Sequence, residues 1–338
     1  MVLGGGLLLI EVVCRIFLGI VFTDFGLDRH GLYDRFYPCL DAPPPTVDDR
    51  TGLLVLGGSA VSPLPLVSGW HGAPDTSIFC GHPSFWDTTR FRLHVLARPG
   101  LNSMDSRVLL DRFDLSAFSH VLIYHGINDV RTNNVSLGAF DSQYRHIEFY
   151  DDLAVLRAHP EHRIWSTPFV LHWLVHSVRT RDRAYIPKEV FWGLLDGRPE
   201  DFIASGDSIR SDAVFEENLR WMVGHILANG STPVLATYAY HLPPDYTLDA
   251  FRSGALDYGR ALFETELYGA PENVRKGLVR HEHVVRRVAS SMDVVFVDLA
   301  TLIPRDGRSF DDVCHLTPAG CRSLSGAVQQ AILAHADD

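Results

Sequence analysis

Residues 53–61 read Leu53-Leu54-Val55-Leu56-Gly57-Gly58-Ser59-Ala60-Val61, and this stretch decides the fold. Four consecutive aliphatic residues without polar alternation predict a strand buried on both faces, as a parallel sheet requires. Two glycines then end the run and deliver a serine at its carboxyl end. Four further apolar runs follow: His94–Ala97, Val121–Tyr124, Pro233–Tyr240 and Val294–Leu299. Helical patterns lie between or after the later ones. Phe215, Leu219, Met222, Val223, Ile226 and Leu227 share one helical face, which stops before Asn229-Gly230. A second pattern runs over 274–289. The last has Thr317 as N-cap, Pro318 at the first helical position, and an apolar face through Leu324, Val328 and Ile332. Strands alternating with helices predict an α/β fold, in three α/β/α layers around a five-stranded parallel sheet.

Composition narrows the function classes. The 338 residues are 46% hydrophobic and 21% charged, which excludes disorder. A net charge of −11 argues against nucleic acid as a partner, because neutralising phosphates needs a basic face. No Cys-x-x-Cys pair occurs among the five cysteines, which speaks against a zinc ribbon or thioredoxin-like redox chemistry.

The first stretch bears on compartment. Residues 2–22 carry only Glu11 and Arg15 as charges. As a helix they span about 31 Å, close to the thickness of bilayer hydrocarbon. Glu11 and Arg15 stand four apart and can pair on one face. The expectation is a single transmembrane anchor at 2–22, making a single-pass membrane protein with its main domain outside the cytoplasm. A buried N-terminal helix is the alternative. Residues 23–50, with Pro43-Pro44-Pro45, are expected to form a stiff juxtamembrane linker. The main domain is then 51–338.

In such sheets ligands bind beyond the carboxyl ends of the strands. The first run ends in Gly57-Gly58-Ser59, the second in Arg98-Pro99-Gly100-Leu101-Asn102-Ser103, and the third in His125-Gly126-Ile127-Asn128-Asp129. The fifth is followed by Asp311-Asp312-Val313-Cys314-His315. A hydroxyl, a glycine backbone, a carboxamide and an Asp/His pair thus converge on one edge. Those are the parts of a serine acyl-transfer site: nucleophile, oxyanion donors, base and base-orienter.

The blocks LLVLGGSAV, ARPGLNSMDS, VLIYHGINDV and DDVCHLTPAG, spanning 53–320, resemble those of the SGNH (GDSL-type) hydrolases. The resemblance implies a flavodoxin-like parallel sheet, with Ser59 as nucleophile, His315 as general base and Asp312 orienting it. It also implies an oxyanion hole made by the backbone N–H of Ser59 with Gly100 and Asn128, no metal or organic cofactor, and an ester substrate. Two departures stand out. Gly58 occupies the position where the family's motif has Asp, and the Asn usual before the second block's glycine is absent. A shifted alignment would put Ser103 in the place of Gly100. An α/β-hydrolase elbow does not fit, since Val61 stands where Gly-x-Ser-x-Gly needs its second glycine.

About 105 residues separate Asn128 from Pro233, where a crossover needs only a dozen or more. The excess, 139–210, reads as an insertion carrying Trp165, Phe169 and Trp173, expected either to form an extra helical layer or to contact the acyl group. His172 and His176 have helical ligand spacing but no third ligand, so no metal site is expected. His281 and His283 flank Glu282 without metalloprotease spacing, on an expected solvated face. Cys39, Cys80, Cys314 and Cys321 could form two disulfides in an oxidising compartment. The function expected is a membrane-anchored esterase acting on a lipid, acylated glycan or other cell-envelope ester. The alternatives are an O-acyltransferase working on an envelope glycan and a non-catalytic binding module.

Overall fold

The computed structural model describes residues 2–21, 46–63, 79–158, 165–179 and 205–336. Helix α1 (Val2–Val21) comes first. It is followed by β1 (Thr51–Gly57), β2 (Phe91–Ala97), α2 (Ser103–Arg112), β3 (His120–Tyr124) and α3 (Ile127–Arg131). Next come α4 (Glu148–Ala158), α5 (Thr167–Arg179), α6 (Ser211–Ala228), β4 (Thr232–Ala236) and α7 (Leu248–Arg252). The chain closes with α8 (Pro271–Ser291), β5 (Val295–Val297), α9 (Leu299–Leu302) and α10 (Pro318–Ala336). Of the sequence-based expectations, the linker's 23–45, Cys39 and the insertion's 159–164 and 180–204 lie outside the described residues.

The five strands form one parallel sheet in the order β2-β1-β3-β4-β5. Period-two alternation splits its side chains into two cores. Leu54, Leu56, Val121, Ile123 and Leu235 face Leu109 of α2, Phe215 and Leu219 of α6, and Val284 and Val285 of α8. Leu53, Val55, Leu122, Val234 and Val297 face Leu324, Val328 and Ile332 of α10. In register, Gly57 lies opposite both Ala97 and Tyr124. The carboxyl ends of β1, β2 and β3 are therefore level, and the segments that follow them emerge side by side.

Two strands are shorter than their apolar runs. β4 stops at Ala236 rather than Tyr240, because the next residues bond elsewhere. Tyr238 stacks on Tyr124 at 4.8 Å, Ala239 N–H donates to the Tyr124 hydroxyl, and His241 N–H donates to the Val313 carbonyl. β5 ends at Val297 because Asp298 opens α9, accepting from the Leu302 N–H.

Helix α1 departs from the expected free-standing span. Glu11, Cys14 and Leu18 form a buried stripe along it, and Cys14 and Leu18 join the core that holds Phe169 and Val170 of α5. The expected pair is present, with Arg15 Nε donating to Glu11 Oε1 at 2.8 Å. Glu11 does more than pair. Oε1 accepts from the Ser166 N–H and hydroxyl, both at 2.8 Å. Oε2 accepts from the Thr167 N–H at 2.9 Å and hydroxyl at 2.7 Å. The carboxylate thus caps the amino end of α5 from another helix, satisfying backbone donors that a helix start leaves unpaired and facing the positive end of its dipole. Among the described residues, no helix is long and apolar enough to cross a membrane.

The described part of the insertion is helical, with α5 packed against both α1 and α4. Phe169, expected to touch an acyl group, is instead 1% exposed in the core with Tyr144 and Tyr150, since α5 turns it inward with Val170. Trp165 stands half-exposed just before α5. Trp173 belongs to α5, with its side chain outside the described set.

Candidate active site

The nucleophile candidate is set by a tight turn. After β1, Ser59–Val61 form a single 3₁₀ turn in which the Val61 N–H reaches back to the Gly58 carbonyl and the Ser62 N–H to that of Ser59. The turn lifts Ser59 out of the strand while leaving it only 8% exposed.

The Asp/His loop arrives from the far end of the chain, 256 residues later. Residues 309–317 close on themselves, with Asp311 N–H donating to the His315 carbonyl and Thr317 N–H to that of Ser309. Neighbouring segments brace the loop: Gly259 N–H bonds the Phe310 carbonyl, and Leu262 N–H bonds that of Asp311. Thr317 caps α10 by accepting from the Gly320 N–H, as its sequence signature indicates.

Within this frame a relay of side chains is in place. His315 Nε2 lies 2.8 Å from Ser59 Oγ. Its Nδ1 lies 2.8 Å from Asp312 Oδ2 and 3.0 Å from Oδ1. Asp312 Oδ1 also accepts from the backbone N–H groups of Cys314 and His315. An ionised carboxylate only accepts, so in the neutral imidazole Nδ1 carries the hydrogen and Nε2 is left to take the serine proton. Burial by itself would push His315 down, but the facing Asp312 carboxylate and its hydrogen bond lift it well above its ordinary value. Phe79 and Phe263 each approach the imidazole at 5.1 Å, shielding it from water. Sequence reading missed both, because nothing in their local spacing marks them.

The second block is built by turn chemistry. Arg98-Pro99-Gly100-Leu101 has the Leu101 N–H bonded to the Arg98 carbonyl and a φ of 84° at Gly100. Proline at the second position and a positive-φ glycine at the third make a type II turn, which a side-chain-bearing residue would strain. Tyr150 of α4 donates to the Gly100 carbonyl at 2.7 Å and holds the turn from behind. The alternative donor, Ser103, is committed elsewhere, with its N–H and hydroxyl both bonded to Asp129.

Asn128, on α3, donates from Nδ2 to the Leu101 carbonyl at 2.9 Å and so ties the third block to the second. A Cβ at Gly58 would come within 2.6 Å of that Nδ2. Glycine at 58 thus lets the Asn128 amide lie directly over the backbone that carries Ser59, where an aspartate side chain would crowd it. Asp129 is the positioning residue that sequence reading passed over. It is buried, accepts from Ser103 and Tyr144, and is pushed up to about 7 by burial, partly offset by those hydrogen bonds.

Other sequence candidates take structural places. His125 is buried against the Ser106 hydroxyl at 2.7 Å and lowered to about 3 by burial. His281, expected near a solvated face, is buried, stacked on Phe215 at 4.3 Å and bonded to Ser211, because α8 turns it toward α6. His283 faces outward, while Glu282 is half-buried and paired with Arg286. The side chains of His172 and His176 are outside the described set. Asp312, Cys314 and His315 cluster closely enough to hold a cation, but the triad geometry already accounts for two of the three. Of the cysteines, Cys80 pairs with Cys321 while Cys314 and Cys14 remain buried thiols. Among the described residues Cys314 is in no disulfide, and its sulfur lies within reach of the Tyr268 hydroxyl and His315 Nδ1.

No family model matches the sequence, and no curated protein matches it. Solved structures similar to this chain include a GDSL-like lipase from Bacteroides thetaiotaomicron, at 14% identity over 90% of this chain and 98% of that one, with a TM-score of 0.44. An acetylxylan esterase from Geobacillus stearothermophilus shows 16% identity over 85% of this chain and 95% of that one, with a TM-score of 0.41.

Asn128→Ala is expected to lower kcat by about 10²–10³ with little change in KM, since an oxyanion donor acts on charge that develops only in the transition state. Steady-state kinetics on an activated ester checks this; a rise in KM alone would remove Asn128 from the oxyanion hole.

Proposed function

We propose that this chain is a serine esterase of the SGNH type, hydrolysing an acyl ester through a covalent acyl-enzyme. The observation that carries it is the unbroken line Asp312–His315–Ser59, with hydrogen-bond distances of 2.8 Å at both links. His315 Nε2 takes the Ser59 proton as Oγ attacks the acyl carbonyl. The oxyanion forms among the Ser59 and Gly100 backbone N–H groups and the Asn128 amide, where pre-set dipoles need no reorganisation. His315 then protonates the leaving alkoxide, and water attacks the acyl-enzyme under the same base.

The substrate in this reading is a lipid, acylated glycan or other envelope ester, with the catalytic domain outside the cytoplasm and attached to the membrane through α1. The Cys80–Cys321 disulfide supports the compartment, because such bonds persist where the surroundings are oxidising. The exposed aliphatic side chains of α1 support the attachment.

The test is labelling with a fluorophosphonate followed by peptide mapping. We expect one adduct, on Ser59, absent in a folded Ser59→Ala protein. Wild type that is folded yet neither labels nor turns over an activated ester would turn the assignment to a non-catalytic binding module.

A further inference from the structure

We propose that α1 and α5 together form a two-helix surface that seats in the apolar phase of a lipid membrane, so that the body is held against the bilayer rather than hung from a tether. This rests on the membrane attachment proposed above, and concerns how it is made. Eleven of the sixteen exposed large hydrophobic residues among those described sit here: Leu7 to Ile10, Val12, Val13 and Ile16 on α1, and Trp165, Leu171, Leu174 and Val175 at α5. At roughly half exposure each, they present on the order of 1,000 Å² of mostly apolar surface, against a few hundred on an ordinary monomer.

The two exposed faces flank one seam. Cys14 and Leu18 of α1 are buried in the same core as Phe169 and Val170 of α5, and Glu11 caps α5. The charges of α1 are consumed inside that seam, Glu11 by Ser166, Thr167 and Arg15. A low-dielectric phase demands this arrangement: the polar groups meet one another and only hydrocarbon faces out.

Geometry selects lipid over a protein partner. Leu7, Leu8, Leu9 and Ile10 are consecutive and all exposed, and at 100° per residue they point to every side of the helix. One partner surface covers one stripe of a helix. Only a fluid apolar medium covers all sides at once. On α5, Leu171, Leu174 and Val175 follow i, i+3, i+4 spacing, a single outward stripe suited to lying in an interface.

The experiment uses the full chain with vesicles of phosphatidylcholine and phosphatidylglycerol carrying a lipid-soluble diazirine. After photolysis, adducts are expected in peptides from both α1 and α5. The combined substitution Leu171→Ser, Leu174→Ser, Val175→Ser should weaken vesicle binding on the order of a hundredfold, while turnover of a water-soluble ester changes less than about twofold. Adducts on α1 alone would overturn the part given to α5 and leave attachment through α1 standing. Adducts on neither helix would overturn both. Protection of both helices with self-association in sedimentation would mean that a second copy covers the face, and would overturn lipid as its occupant.

Discussion

His315→Ala is expected to lower turnover by several orders of magnitude, while His125→Ala retains most of it. The two residues are both buried histidines near the strand ends, so the contrast isolates chemistry from packing. His315 faces Ser59 Oγ across 2.8 Å and, among the described residues, is the side chain placed to take its proton. His125 bonds the Ser106 hydroxyl and is held neutral by burial, so its loss leaves the proton path intact and costs stability. Removing a triad member leaves only what the oxyanion donors and binding supply, a residual of about 10³–10⁴ over water. Equal losses in kcat from both variants, each confirmed folded, would show that the base is misassigned.

The second large effect is expected from Asp312→Asn, on the order of 10⁴ in kcat with the fold retained. An amide in that place can present N–H to Nδ1 and stabilise the tautomer that cannot accept from Ser59. The variant should also change the pH profile. Asp312 lifts His315 above its ordinary value, and the base works only when neutral. Wild-type kcat/KM should therefore rise with pH through an apparent pKa above about 6.5. In Asp312→Asn, burial acts without the carboxylate, and the rise should move to lower pH. The same linkage acts on stability in the opposite direction. With its folded pKa raised, His315 contributes stability fully below its unfolded value, and that contribution is lost as pH climbs through the folded one. Denaturant melts at a series of pH values, with and without Asp312, check the sign. An unshifted rate profile in the variant would mean that Asp312 does not govern the base.

How much of this was legible before folding follows from the range of each signal. Strand ends are local: an apolar run, then glycine, proline or asparagine. Ser59, Gly100 and Asn128 were readable because each lies within four residues of such an end. Asp312 and His315 were readable as a pair at fixed spacing. What escaped depends on partners distant in sequence. Phe79 and Phe263 lie far from His315 along the chain and carry no periodic mark. Glu11 read as a charge softened by Arg15, whereas its main partners, Ser166 and Thr167, come 155 and 156 positions later. The shortening of β4 could not be read either, since Tyr238 and Tyr240 look like strand residues until Tyr124 supplies a ring to stack on. Pairing among the cysteines is a matter of three-dimensional proximity that spacing does not encode.

The Cys80–Cys321 bond divides the site between two covalent parts of the chain. It closes a covalent ring over residues 80–321 that holds β2 to β5 together with Asp312 and His315. Strand β1, which carries Ser59, lies outside that ring, yet in the sheet it sits between β2 and β3. The strands inside the ring leave a slot between β2 and β3 that β1 fills. With β1 in that slot, Ser59 lies against His315. Completing the sheet and bringing Ser59 to His315 are therefore one geometric requirement.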